Sequence, residues 1–96
     1  MLANGDADGL VGGASNTTAE TVRAVIHCIG VKPEFRLISS FMILVHPDPK
    51  WGANGVMIFA DCAVVPDPSP TQLADIAIDS AISAMKYDIP PHVALL

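Results

Sequence analysis

Residues 12–18 read Gly-Gly-Ala-Ser-Asn-Thr-Thr and lead into a stretch with helical apolar spacing. That order of residue types suits the holding of an anion. Glycines let the backbone approach a ligand closely. Free amides and the dipole at a helix start favour a group such as phosphate. The hydroxyls of Ser15, Thr17 and Thr18 add donors. The same residues also suit an ordinary strand-to-helix turn with Thr17 as its cap, and spacing alone leaves both readings open. No Lys follows the second glycine as a Walker A loop requires, and the three spaced glycines of a dinucleotide fingerprint are missing.

Other candidates are weaker. Asp6-Ala7-Asp8-Gly9 opens like a calcium loop, but Thr17 stands where the bidentate Glu is needed, so a turn is expected and no metal. His27, His46 and His92 are scattered and pair with no nucleophile. Asp61-Cys62 follows a strand directly, where α/β folds often place functional residues, although a buried structural turn is the commoner outcome. Cys28 and Cys62 match no metal or redox spacing and are expected to be buried, reduced thiols.

Composition narrows the classes. The net charge is −5, and only Arg23, Lys32, Arg36, Lys50 and Lys86 are basic. Nucleic-acid binding, which rests on many phosphate contacts, is therefore not expected. No apolar run reaches the ~18 residues of a membrane span. The N-terminus lacks a basic stretch followed by an apolar core, so the expected location is cytoplasmic.

These candidates must be positioned by a small set of elements. Met1 to Gly5 reads as a helix end stopped by Gly5. Leu10 and Val11 are expected to begin a short buried strand. Thr17 and Glu20 form a capping box, and Val22, Val25, Ile26 and Ile29 make one apolar helix face that Gly30 ends. Arg36 to Val45 reads as a strand, and Asn54-Gly55 as a turn. Val56 to Ala60 is a second strand, antiparallel to the first because the connection is short. Ser69, Pro70 and Gln72 mark another capped helix start. Leu73, Ile76, Ala77 and Ile82 give its apolar face, with Pro90-Pro91 beyond. His92 to Leu96 reads as an apolar strand cut off at the last residue. The expected class is α/β with an antiparallel hairpin, in a chain (residues 1–96) truncated at both ends.

The stretch Gly5-Asp6-Ala7-Asp8-Gly9-Leu10-Val11-Gly12-Gly13-Ala14, followed by Thr17-Thr18-Ala19-Glu20-Thr21-Val22-Arg23, closely resembles the phosphate acetyltransferase and butyryltransferase family. Ser39-Ser40-Phe41-Met42 looks like that family's next strand. Phe59-Ala60-Asp61-Cys62-Ala63-Val64 looks like its following turn. Pro66-Asp67-Pro68 and Gln72-Leu73-Ala74 look like its proline loop and helix. Gly12 stands where the family usually has Ser, and the family's Ser-Arg-Gly motif and carboxylate base have no match here.

The resemblance implies a three-layer α/β/α segment of a two-domain phosphotransacetylase-like fold, of the isocitrate/isopropylmalate dehydrogenase kind. It implies reversible transfer of an acetyl or short acyl group between coenzyme A and inorganic phosphate. Coenzyme A, acyl phosphate and phosphate are then the partners, in a homodimer, with no cofactor beyond the substrate coenzyme. The implied substrate-binding residues are Gly13, Ser15, Thr17, Thr18 and Arg23, with no catalytic residue in this chain. A non-catalytic acyltransferase-like regulatory domain and a general anion- or nucleotide-binding module are the alternatives.

Overall fold

The computed structural model describes residues 1–34 and 37–96, and the chain divides into two units, Met1–Arg36 and Leu37–Leu96. Arg36, the expected start of the first strand, lies outside the described residues.

In the first unit a 3-10 turn, Leu2–Asn4, is stopped by Gly5 in the left-handed conformation at φ 78°. Helix α1 spans Thr18–Cys28. Ile29 is its C-cap, and Gly30 follows at φ 83° with its N–H donating to Val25 O at 3.3 Å. The expected face is only partly covered, because Val22 and Val25 are half-buried while Ile26 and Ile29 are exposed. The expected strand at Leu10 and Val11 is absent. Both residues are outside any ladder, and Val11 is fully exposed. Apolar, β-branched composition suggested a strand there, but no partner strand among the described residues satisfies the backbone.

The second unit is built on a hairpin. Strand β1, Phe41–Val45, pairs antiparallel with β2, Val56–Ala60, in the register Phe41 to Ala60 through Val45 to Val56. The ladder starts later than expected, because the backbone at Ser40 donates to the Asp61 side chain and not to a neighbouring strand. Asn54 (φ 53°) and Gly55 (φ 89°) occupy the centre of a turn closed by reciprocal bonds between Ala53 and Val56, 2.9 and 3.0 Å. Two consecutive positive φ values are the reason Asn-Gly is favoured in such turns.

Helix α2, Pro70–Lys86, packs on β2. Ser69 Oγ accepts from Gln72 N–H at 3.3 Å, Gln72 Oε1 accepts from Ser69 N–H at 2.9 Å, and Pro70 occupies the first turn. The helix stops before Pro90, at Tyr87, with Asp88 left-handed at φ 57°. Ile76 and Ala84 are buried, and Tyr87 meets Phe41 edge-on with centroids 6.2 Å apart. Burying Ile76 contributes about 1.5–3 kcal/mol. Residues 92–96 form no strand and are exposed. The apolar run His92 to Leu96 has no ladder partner among the described residues, which a strand requires.

Candidate functional site

The glycine-rich turn delivers its residues to the start of α1. Gly13 has φ 98°, and a Cβ there would lie 3.3 Å from Thr21 Oγ1, so the turn folds close against the first helical turn. Thr17 is the N-cap, with extended backbone at φ −67° and ψ 156°. Its Oγ1 accepts from Glu20 N–H at 3.3 Å and donates to Glu20 Oε2 at 2.8 Å. Glu20 Oε2 also accepts from Thr17 N–H at 3.0 Å. These bonds from the Thr17 backbone and then its hydroxyl hold the Glu20 carboxyl below its ordinary value.

The expected site residues therefore separate by role. The single hydroxyl proton of Thr17 is committed to Glu20, so this residue serves the helix first. Thr18 opens α1, is exposed, and its hydroxyl is uncommitted among the described residues. Ser15 is exposed in the bend before it. Arg23 is exposed on the helix surface three residues after Glu20. Helical geometry places Arg23 on the face of Ala19 and Glu20, away from Thr18. Gly13, Ser15, Thr17 and Thr18 share one turn, and Arg23 stands one helical turn beyond.

A second constellation was only half visible in the sequence. Ser40 and Asp61 flank the two strands, one step beyond the Phe41–Ala60 pair. The backbone N–H and hydroxyl of Ser40 both donate to Asp61 Oδ1. Ser40 Oγ accepts from Cys62 N–H at 3.1 Å and Ala63 N–H at 2.9 Å. Asp61 Oδ2 accepts from the N–H groups of Val64 (3.0 Å) and Val65. Partial burial pushes the Asp61 carboxyl up. The bonds from the Ser40 hydroxyl, Val65 N–H, Ser40 N–H and Val64 N–H outweigh that and hold it at about 2. The Ser40 N–H and hydroxyl and the N–H groups of residues 62–65 are used internally, so the geometry is that of a clasp closing the open end of the hairpin. Ser39 adds a bond from its hydroxyl to Asp79 of α2, at 3.1 Å.

The cysteines differ from expectation. Cys28 and Cys62 are both free and exposed. Cys62 lies in the turn outside the ladder, and its thiol donates to Phe59 O at 2.9 Å.

Among the described residues the chain is thus a small α/β protein with two α-helices, a two-stranded antiparallel sheet and a glycine-rich turn feeding a capped helix. The sequence profile described as "Phosphate acetyl/butaryl transferase" matches residues 1–96, and the chain belongs to that family. It is similar to the phosphate acetyltransferase of Nitrosomonas europaea, at 46% identity over 96 residues, covering all of this chain and 13% of the relative. It is 44% identical to that of Pseudomonas aeruginosa, again over the whole chain and 13% of the relative. A third, from Acetivibrio thermocellus, is 40% identical over 97 aligned residues, covering the whole chain and 29% of the relative. The chain therefore spans 13% to 29% of the length of these relatives.

Proposed function

We propose that the chain forms part of an acyltransferase that moves an acetyl or short acyl group between coenzyme A and inorganic phosphate. The observation that carries this is the family match over the whole chain, with relatives named phosphate acetyltransferase. In the direction of thioester synthesis, the coenzyme A sulfur gives up its proton to a base and attacks the acyl phosphate carbonyl. The S–C bond forms, the C–O bond to phosphate breaks, and phosphate leaves with the electron pair. Fixed donors stabilise the oxyanion that forms between the two events. The base belongs to the rest of a two-domain, phosphotransacetylase-like, homodimeric enzyme. No metal or prosthetic group enters the step.

The part taken by this chain is substrate positioning at the Gly13–Thr18 turn. Thr18 and Ser15 offer hydroxyls, and the Thr18 and Ala19 amides open the helix. Thr17 shapes the turn by locking Glu20, and Arg23 supplies a cation one turn away. Because Glu20 is also an anion at the helix start and is tied to Thr17, the phosphate contact falls to the hydroxyls of Thr18 and Ser15.

The test uses a chimera in which these 96 residues replace the matching segment of the Nitrosomonas europaea enzyme. A hydrogen bond to a charged phosphate contributes about 1.5–3 kcal/mol. Thr18→Val is expected to raise the Michaelis constant for phosphate or acetyl phosphate by about tenfold or more, with the melting temperature held. An unchanged constant and turnover in a folded variant would reduce the turn to a structural element.

A further inference from the structure

Residues 46–55 are more elaborate than a hairpin closure needs. The Asn54-Gly55 turn alone reverses the chain, yet residues 46–53 add a second layer that holds an indole in the open. Trp51 is the chain's single tryptophan and is 51% exposed. Its carbonyl accepts from Gly55 N–H at 2.7 Å, and Gly55 O accepts from His46 N–H at 2.7 Å. Gly55 is buried, and a Cβ on it would stand 2.3 Å from His46 O. The backbone bearing the indole is therefore fixed.

The ring is half exposed, and His46 and Lys50 are polar neighbours. His46 meets Trp51 edge-on, with centroids 6.2 Å apart and planes at 68°, so this neighbour is not stacked in parallel on the indole. Lys50 Nζ lies over the ring at 5.9 Å and is paired with Asp48 Oδ2 at 2.9 Å. His46 Nδ1 accepts from Asp48 N–H at 3.0 Å, which assigns the proton of the neutral imidazole to Nε2, where it is free to donate. A half-exposed indole on a fixed backbone, with a cation over one face and a donor beside it, matches a flat heteroaromatic base carrying phosphate.

We propose that the face of Trp51 opposite Lys50 is a stacking platform for the base of a single adenine nucleotide moiety, with His46 beside it. The deepening of the acyl-transfer reading is that coenzyme A carries such a moiety, and to that extent the inference rests on that reading. A nucleic-acid strand is disfavoured because the chain carries a net charge of −5 and Lys50 is already paired. Stacking on the indole, not the charge of Lys50, is then the main determinant.

The experiment follows Trp51 emission while the 96-residue chain is titrated with adenosine 3′,5′-bisphosphate, ATP or 4′-phosphopantetheine. Saturable quenching by the bisphosphate and none by phosphopantetheine is expected. ATP quenching as strongly identifies a general nucleotide platform, and weaker quenching identifies the coenzyme moiety, so either supports the platform. By calorimetry, Trp51→Leu is expected to bind the bisphosphate about five- to 150-fold more weakly, with Trp51→Phe recovering part of the loss. The same calorimetry in the chimera reads the platform in a second host and carries the test where the isolated chain lacks its hairpin. Unchanged binding by folded Trp51→Leu, quenching that survives in concentrated urea, or no binding by either host at millimolar ligand would overturn the proposal. Acetyl transfer by the chimera is scored separately, so loss of the platform and loss of the acyl-transfer reading are distinguishable.

Discussion

At the residue scale, neighbouring hydroxyls have different duties. Thr17 is tied to Glu20 through three bonds, so Thr17→Ala is expected to lower stability by about 1 kcal/mol in thermal or urea unfolding. Ser40 stands at the centre of the clasp. Ser40→Ala removes one of the two donors to Asp61 Oδ1 and the acceptor of two turn amides, and is expected to cost about 2 kcal/mol. The depressed Asp61 value fixes the sign of the pH effect. Its stabilisation is present above the unfolded value near about 4 and is lost as pH falls through about 2. Screening at this half-exposed site leaves roughly 1 kcal/mol of it. Asp61→Asn should flatten the acid limb of a stability–pH curve measured between those limits, and a limb unchanged by the substitution would contradict the assignment. The Thr17–Glu20 box was legible because both partners lie within one helical turn. The Ser40–Asp61 clasp was not, because it depends on hairpin register, which the alternation of apolar residues did not fix.

At the element scale, the helix starts were the clearest signals, since each is a local pattern of cap, first-turn proline or box residue. The strands were less so. An apolar run reads as a strand wherever it falls, but a strand exists only with a partner, and neither Leu10-Val11 nor residues 92–96 has one among the described residues. The glycines separate sharply by what surrounds them. At Gly55, φ of 89° and a carbonyl 2.3 Å from a built Cβ leave no room, so Gly55→Ala is expected to destabilise the hairpin by more than about 2 kcal/mol. Gly12 has open space around it, and Gly12→Ser, which restores the residue usual in the family, should change stability by less than about 0.5 kcal/mol. Equal effects from the two substitutions in chemical denaturation would contradict this account of the turns.

At the scale of the whole molecule, the core is small. Ile76 and Ala84 are the buried hydrophobic residues among those described, while Met42, Leu44, Phe59 and Ile78 remain exposed. A chain with so little apolar burial is expected to melt broadly and to bind a hydrophobic dye when studied alone, and a sharp, cooperative transition would count against it. The same chain alone should release no acetyl-CoA, since the family's Ser-Arg-Gly motif and base have no match in it. The central claim is that these residues form part of an acyltransferase, and the chimera with the Nitrosomonas europaea enzyme tests it most directly. Initial rates of acetyl-CoA formation from acetyl phosphate and coenzyme A are measured beside the unaltered parent. The account predicts turnover within about tenfold of the parent, or about 1.4 kcal/mol in barrier. A folded chimera that forms no acetyl-CoA would contradict it.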